Sequence, residues 1–159
     1  MRVISIDPGY DRLGIAIIEL QNRSEHLLYS ECVLTDKTLS LNARLSIIGD
    51  RFQELLAIYT PDTLAIETLF FNQNQKTAMG VAQVRGILIY LAQRAHCQVY
   101  EFGPQEIKIA VTGYGKSDKA AVIAMVKRLL PAAPENVLDD EYDAIAVGIT
   151  CLAHHGRGA

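Results

Sequence analysis

Four carboxylates stand at positions where hard-cation chemistry can be built. Asp7 closes the apolar run "VISID" and is followed at once by Pro8 and Gly9, and Glu67 closes a second short run, "TLAIE". The last two, Asp140 and Asp143, lie within "DDEYDAIA" at 139–146. At i and i+3 they share one face of a helix. That face continues into Val147 and Cys151 and so points inward. Unpaired buried charge is costly, and like charges this close raise each other's pKa. A divalent cation removes both problems. Oxygen ligands with no His/Cys set beside them suit Mg²⁺ or Mn²⁺. Acids converging from distant parts of the chain suit a two-metal site that clamps the attacking and leaving oxygens of a phosphodiester. Each acid also has a plainer reading. Asp7 before Pro-Gly starts a turn, Glu67 pairs with a cation, and Asp139 or Asp140 caps a helix whose first turn favours negative charge. Capping does not reach Asp143.

The elements that must position these acids can be read from periodicity. Residues 2–7, 13–20 and 26–34 have the character of strands, with the polar "QNRSE" as a hairpin connection, so an antiparallel meander is expected. Over 40–59 the period becomes helical through Leu45, Ile48, Phe52, Leu55, Leu56 and Tyr59, and Pro61 stops it. A buried strand at 63–67 follows, then a long helix over about 76–95. The stretch "ILIYL" at 87–91 is apolar on every face, as in a helix covered on more than one side, by core and partner subunit or by core alone. A fifth strand is expected at 97–102, and helices at 104–111 behind Pro104, at 118–130 and at 140–155. Three strands followed by alternating strand and helix predict an α/β domain with a five-stranded mixed sheet flanked by helices.

Composition sets the bounds. A chain of 159 residues, half of them hydrophobic, makes one domain with a real core and is not disordered. No apolar run approaches the roughly 20 residues of a membrane span. "MRVISID" is already a strand and not a signal peptide. Cys32, Cys97 and Cys151 are scattered, fit a reducing cytoplasm and have no zinc spacing. The net charge of -3 is unevenly spread. Residues 1–71 carry 6 basic and 10 acidic groups, 72–130 carry 8 and 3, and 131–143 carry 5 acids and no base. That is either a solvated pattern or an acidic metal site beside a basic binding surface. On the second reading Lys76, Arg85, Lys108, Lys116 and Lys119 contact phosphates. Arg85 has the alternative of anchoring its helix to an acid. Phe70 and Phe71 follow Glu67 in a polar loop and suit stacking on bases, with Phe71 the one expected to tuck into the core.

Taken in order, "IDPG" at 6–9, "IE" at 66–67, "AQVRG" at 82–86, "GYGKSDK" at 113–119 and "DEYDAIA" at 140–146 resemble the RuvC family of crossover-junction endodeoxyribonucleases, the bacterial Holliday junction resolvases. The resemblance covers nearly the whole chain, so 1–159 is expected to be a single nuclease domain. It implies a ribonuclease H-like fold, a homodimer, and Mg²⁺-dependent incision of two opposed strands of a four-way DNA junction in recombination and repair. Two Mg²⁺ per active site are implied, with Mn²⁺ able to substitute, and ends that carry 5′-phosphate and 3′-hydroxyl. Carried over by residue, Asp7, Glu67, Asp140 and Asp143 match the catalytic acids, and Phe70 an aromatic set against unstacked bases. Lys108 and Lys119 match basic residues beside the cleaved strand, with Lys119 at the catalytic centre. The helix at about 76–95 matches the dimer interface. A branch-migration motor is a further implied partner, although no residue points to it. Asp139 beside Asp140 leaves a one-residue ambiguity in the ligand set, in which the spacing to Asp143 favours Asp140.

Three other readings compete, one of them a non-catalytic binding module that keeps the fold, against which the presence of all four acids argues. "DPGYDRLGIA" at 7–16 also resembles the start of the bacterial pre-ribosomal-RNA processing nucleases, which share the fold and cut RNA; "GYGKSDK" and "DEYDAIA" favour the resolvase. "AVTGYGKS" at 110–117 fits a loose phosphate loop of an ATP-binding protein if "IKIAV" is a strand. Only 42 residues follow Ser117, too few for the rest of such a domain, and Pro104 favours a helix there.

Overall fold

The computed structural model describes residues 1–68 and 75–156, except for the side chains of residues 75 and 76. Its elements in chain order are β1 (Arg2–Asp7), β2 (Arg12–Gln21), β3 (Ser24–Leu34), α1 (Leu41–Tyr59), β4 (Thr63–Glu67), α2 (Gln75–Arg94), β5 (Gln98–Phe102), α3 (Pro104–Thr112), α4 (Lys119–Leu129) and α5 (Asp139–His155). The strands form one sheet in the order β3-β2-β1-β4-β5. β1, β2 and β3 make the antiparallel meander, while β4 runs parallel to β1 and β5 parallel to β4. The element expected at 104–111 is indeed helical, so the strand required by a phosphate loop at 110–117 does not exist.

Alternation along the strands divides the core into two layers. Ile4, Ile6, Ile15, Ile17, Leu64 and Ile66 face α1 and α2. Val3, Ala16, Ile18 and Ala65 face α3, α4 and α5. Local chemistry sets the helix ends. Ser40 accepts from Ala43 N–H at the start of α1, and Thr60 turns left-handed at its end, just before Pro61. Asp118 accepts from Ala121 N–H to start α4. The capping reading of Asp139 or Asp140 fails, because Leu138 occupies the cap position of α5 without a side-chain bond. Both aspartates are thus released for other work, inside a first turn whose unpaired N–H groups favour negative charge.

α5 lies across the middle of the sheet, and small residues let it come close. Gly148 meets Ser5 and Ile18, where an added Cβ would fall 2.6 Å from Ser5 Oγ. Ile145, Val147, Ile149 and Leu152 are all buried, at about 1.5–3 kcal/mol each. The acids at its N-terminus therefore ride on a rigid support.

Candidate active site

Parity along the strands decides where the acids point. Val3 and Ser5 face α5, so Asp7, two residues on, faces it as well. Ala65 faces α5, and so does Glu67. β1 and β4 pair in parallel as far as Ile6–Ile66, which leaves Asp7 and Glu67 side by side at the same sheet edge. The first turn of α5 arrives above them. It can do so because Gly14 of β2, the ladder partner of Asp7, has no side chain: a Cβ there would lie 1.9 Å from the Asp140 carbonyl oxygen.

The electrostatics bear out this crowding. Burial, followed by the charges of Asp143, Glu67 and Asp140, pushes Asp7 up to about 7. Burial and then Asp143 raise Glu67 as well, against the pull of Arg85, Lys119 and Lys108. Burial likewise raises Asp143, although Lys119 donates to it at 2.9 Å and opposes the rise. Burial disfavours the Lys119 charge, but its ion pairs with Asp143 and Asp139 outweigh that and raise its pKa. Asp139 and Asp140 separate cleanly. Asp139 is 57% exposed and turns to Lys119 at 3.4 Å. The Asp140 side chain is only 15% exposed, and its buried Oδ2 accepts no hydrogen bond, with Arg12 Nε 3.3 Å away but misaligned.

Three half-buried carboxylates with raised pKa values, Asp7, Glu67 and Asp143, beside the orphaned Oδ2 of Asp140, fit a hard divalent cation. Among the described residues no three acidic or nitrogen and sulfur ligands close into a ready cage. Mg²⁺ does not require one, since it is commonly held by one or two carboxylates together with waters and substrate phosphate oxygens.

Of the expected basic contacts, Lys108 and Lys119 line one cleft with Glu67 and Asp143. Lys116 is exposed on the loop after α3. Arg85 is buried, donating to the Glu67 carbonyl and, at 2.8 Å, to Glu101. It has the anchoring geometry, tying α2 to the end of β4 that carries Glu67, and it does not face solvent as a phosphate ligand would. Phe70, Phe71 and the Lys76 side chain lie outside the described residues.

The family profile described as Crossover junction endodeoxyribonuclease RuvC matches residues 3–151. The chain belongs to the RuvC family. A crossover junction endodeoxyribonuclease RuvC of Thermosipho melanesiensis is 43% identical over 158 residues, covering 99% of each chain. Thermus thermophilus RuvC in complex with a Holliday junction substrate superposes with a TM-score of 0.92 at 29% identity, covering 99% of this chain and 96% of that one. The yeast mitochondrial Holliday junction resolvase Ydc2 shares the fold, with a TM-score of 0.71 at 13% identity over 96% of this chain and 78% of that one. The architecture is thus the ribonuclease H-like one of RuvC.

Three parts of this candidate site escape a reading by motif. Gly14 is one, although a glycine inside the apolar run "LGIAII" signals close backbone approach. The second is Arg12 beside Asp140. The third is Glu141, buried and accepting from Ser30 Oγ at 2.6 Å, which fastens the first turn of α5 to β3. No signal in the sequence marks that pair, 111 residues apart.

Proposed function

We propose that this chain resolves four-way DNA junctions by paired incision of two opposed strands, leaving 5′-phosphate and 3′-hydroxyl ends, in the recombination and repair work of the bacterial cytoplasm. The observation that carries the reading is the gathering of Asp7, Glu67, Asp140 and Asp143 at one sheet edge, beside Lys108 and Lys119, in a chain of the RuvC family. Two Mg²⁺ ions, or Mn²⁺ in their place, would be held by those four acids and would supply the Lewis acidity that activates water and stabilises the leaving oxygen. The residues do the rest. Lys119 holds Asp143 in place and offsets its charge, and Lys108 lines the approach to Glu67 with positive potential. Arg85 fixes the strand end from which Glu67 projects. Lys76 and Lys116 add phosphate contacts that set the register without reading sequence. Phe70 supplies a stacking face for unpaired bases.

Paired incision needs two equal sites, which a two-fold dimer provides. α2 is the proposed seam. Met79, Gln83, Gly86 and Tyr90 recur at helical spacing on its exposed side, and Tyr90 is 63% exposed. A branch-migration motor is the further partner class.

The test is cleavage of a synthetic four-way junction and of a linear duplex of the same sequence, in Mg²⁺ and in EDTA. Symmetric nicks in the junction alone, dependent on Mg²⁺ and lost in Asp7→Asn, are expected. Equal cutting of both substrates, or full activity in Asp7→Asn, would overturn the proposal.

A further inference from the structure

The acids open onto two clefts. Besides the cleft of Lys108 and Lys119, a second one reaches Asp140 from the opposite side and is lined by Tyr10, Arg12, Thr35, Lys37 and Asp140 among others. We propose that this second cleft carries the DNA backbone on the far side of the cut, with Arg12 and Lys37 as its phosphate ligands. The inference rests on the nuclease reading above and extends it to a part of the chain that charge counting sets aside, since residues 1–71 are acidic overall.

The cleft is built into the fold. Its wall is organised by Arg44, a buried cation on α1. The Arg44 guanidinium lies 4.9 Å from the centre of the Tyr10 ring and donates to the Tyr10 carbonyl at 2.9 Å, to Thr35 Oγ1 at 2.8 Å and to Asp11. On its other side Tyr10 packs against Gly80 of α2, where a Cβ would fall 2.7 Å from the ring carbons. A wall fixed from α1, α2 and the residue that follows β3 does not have to be ordered when a strand enters, so little binding energy is spent on it.

This wall presents two cations to solvent, each beside an acid of the same cleft. Lys37 is 79% exposed and stands 3.5 Å from Asp11; Arg12 is 53% exposed and 3.3 Å from Asp140. The Lys37–Asp11 pair is open to solvent on both sides and exchanges readily for a phosphate, and Arg12 is exposed on its side of the pair with Asp140. Asp11 stays paired with Arg44 when Lys37 leaves it. When Arg12 turns outward, Asp140 would be matched by the divalent cation it is proposed to help hold. Charge therefore stays matched at both carboxylates. A strand presenting one phosphate to the acids must continue on both sides of them, and cations flanking the acids on both sides are what such a path requires.

The experiment measures junction affinity as a function of salt with Ca²⁺ in place of Mg²⁺, together with a phosphate-ethylation interference map around the cut, for the wild type, Lys37→Met, Arg12→Met and the double variant. The slope of log affinity against log salt is expected to shrink by about 1 for each contact removed per subunit. Interference is expected to vanish on one side of the cut and persist on the other. Lys37→Met is the cleaner variant, because Lys37 does not touch an active-site acid. An unchanged slope and an unchanged map in the double variant would overturn the second cleft while leaving the nuclease reading intact. A wild-type protein that binds no DNA would overturn both.

Discussion

Gly14→Ala is the sharpest perturbation the fold offers. The new Cβ would sit 1.9 Å from the Asp140 carbonyl oxygen, 2.6 Å from its carbon and 3.2 Å from Ala144 Cβ. Real Cβ contacts do not fall below 3.0 Å, so either the first turn of α5 or the strand must yield by about 1 Å. Neither moves freely: Gly14 is paired with Asp7 in the ladder, and α5 is fastened by its buried apolar face and by Glu141 on Ser30. Overpacking of this kind costs about 1–3 kcal/mol. In a domain of this size each kcal/mol lowers Tm by about 2–4 °C. The displacement falls on Asp140 relative to Asp7, and a 1 Å error in a catalytic constellation costs about 100-fold in rate. Single-turnover junction cleavage in Mg²⁺, junction binding in EDTA and a thermal melt separate the effects. Expected are a lower Tm, a cleavage rate down by about two orders of magnitude and nearly unchanged binding. Ser30→Ala is the companion: it unties Glu141 at about 1–3 kcal/mol without pushing α5, so its rate loss should be much smaller. A Gly14→Ala protein with wild-type Tm and rate would refute the idea that backbone contact at Gly14 sets the distance between these acids.

The remaining predictions concern charge and assembly. Asp7 is held at about 7 in the fold against 3.8 unfolded, so between those values the folded state binds more protons; metal-free stability should fall as pH rises from about 4 to 7, and Asp7→Asn should melt higher than wild type at pH 8 but equally at pH 3. Mg²⁺ added at pH 8 should raise the wild-type Tm and leave Asp7→Asn nearly unmoved, and equal shifts in both would count against Asp7 as a ligand. Lys119→Met should slow cleavage by about 10²–10³-fold with junction affinity largely kept, as read by single-turnover rates and filter binding. Arg85→Met leaves the Glu67 carbonyl unpaired and should cost about 1–3 kcal/mol in urea unfolding with no change in the salt slope of DNA binding; a reduced slope would return Arg85 to the phosphate contacts. Tyr90→Glu should yield monomers in sedimentation velocity while keeping the monomer fold by circular dichroism.

Much of this was determined by the sequence alone. Short apolar runs and period-3.6 patterns located the ten elements, because strands buried on both faces and helices buried on one write that burial into their residues. The ordered motifs identified the family and named the four acids. Spacing also ranked Asp140 above Asp139, since i and i+3 is a local geometric relation that holds wherever the helix goes. The relation between distant elements was not contained in those patterns. Only the tertiary structure decided that Arg85 turns inward to Glu67 and Glu101, that Arg12 meets Asp140, and that Arg44 braces the wall of a second cleft. Each depends on which faces meet when α1, α2 and α5 settle on the sheet. A lone arginine reads the same in sequence whether it ends in water or under a strand. Gly14 stands between the two cases. Its type was visible as an oddity inside an apolar strand, but its purpose, admitting the backbone of Asp140 to the ladder partner of Asp7, exists only once α5 has crossed the sheet.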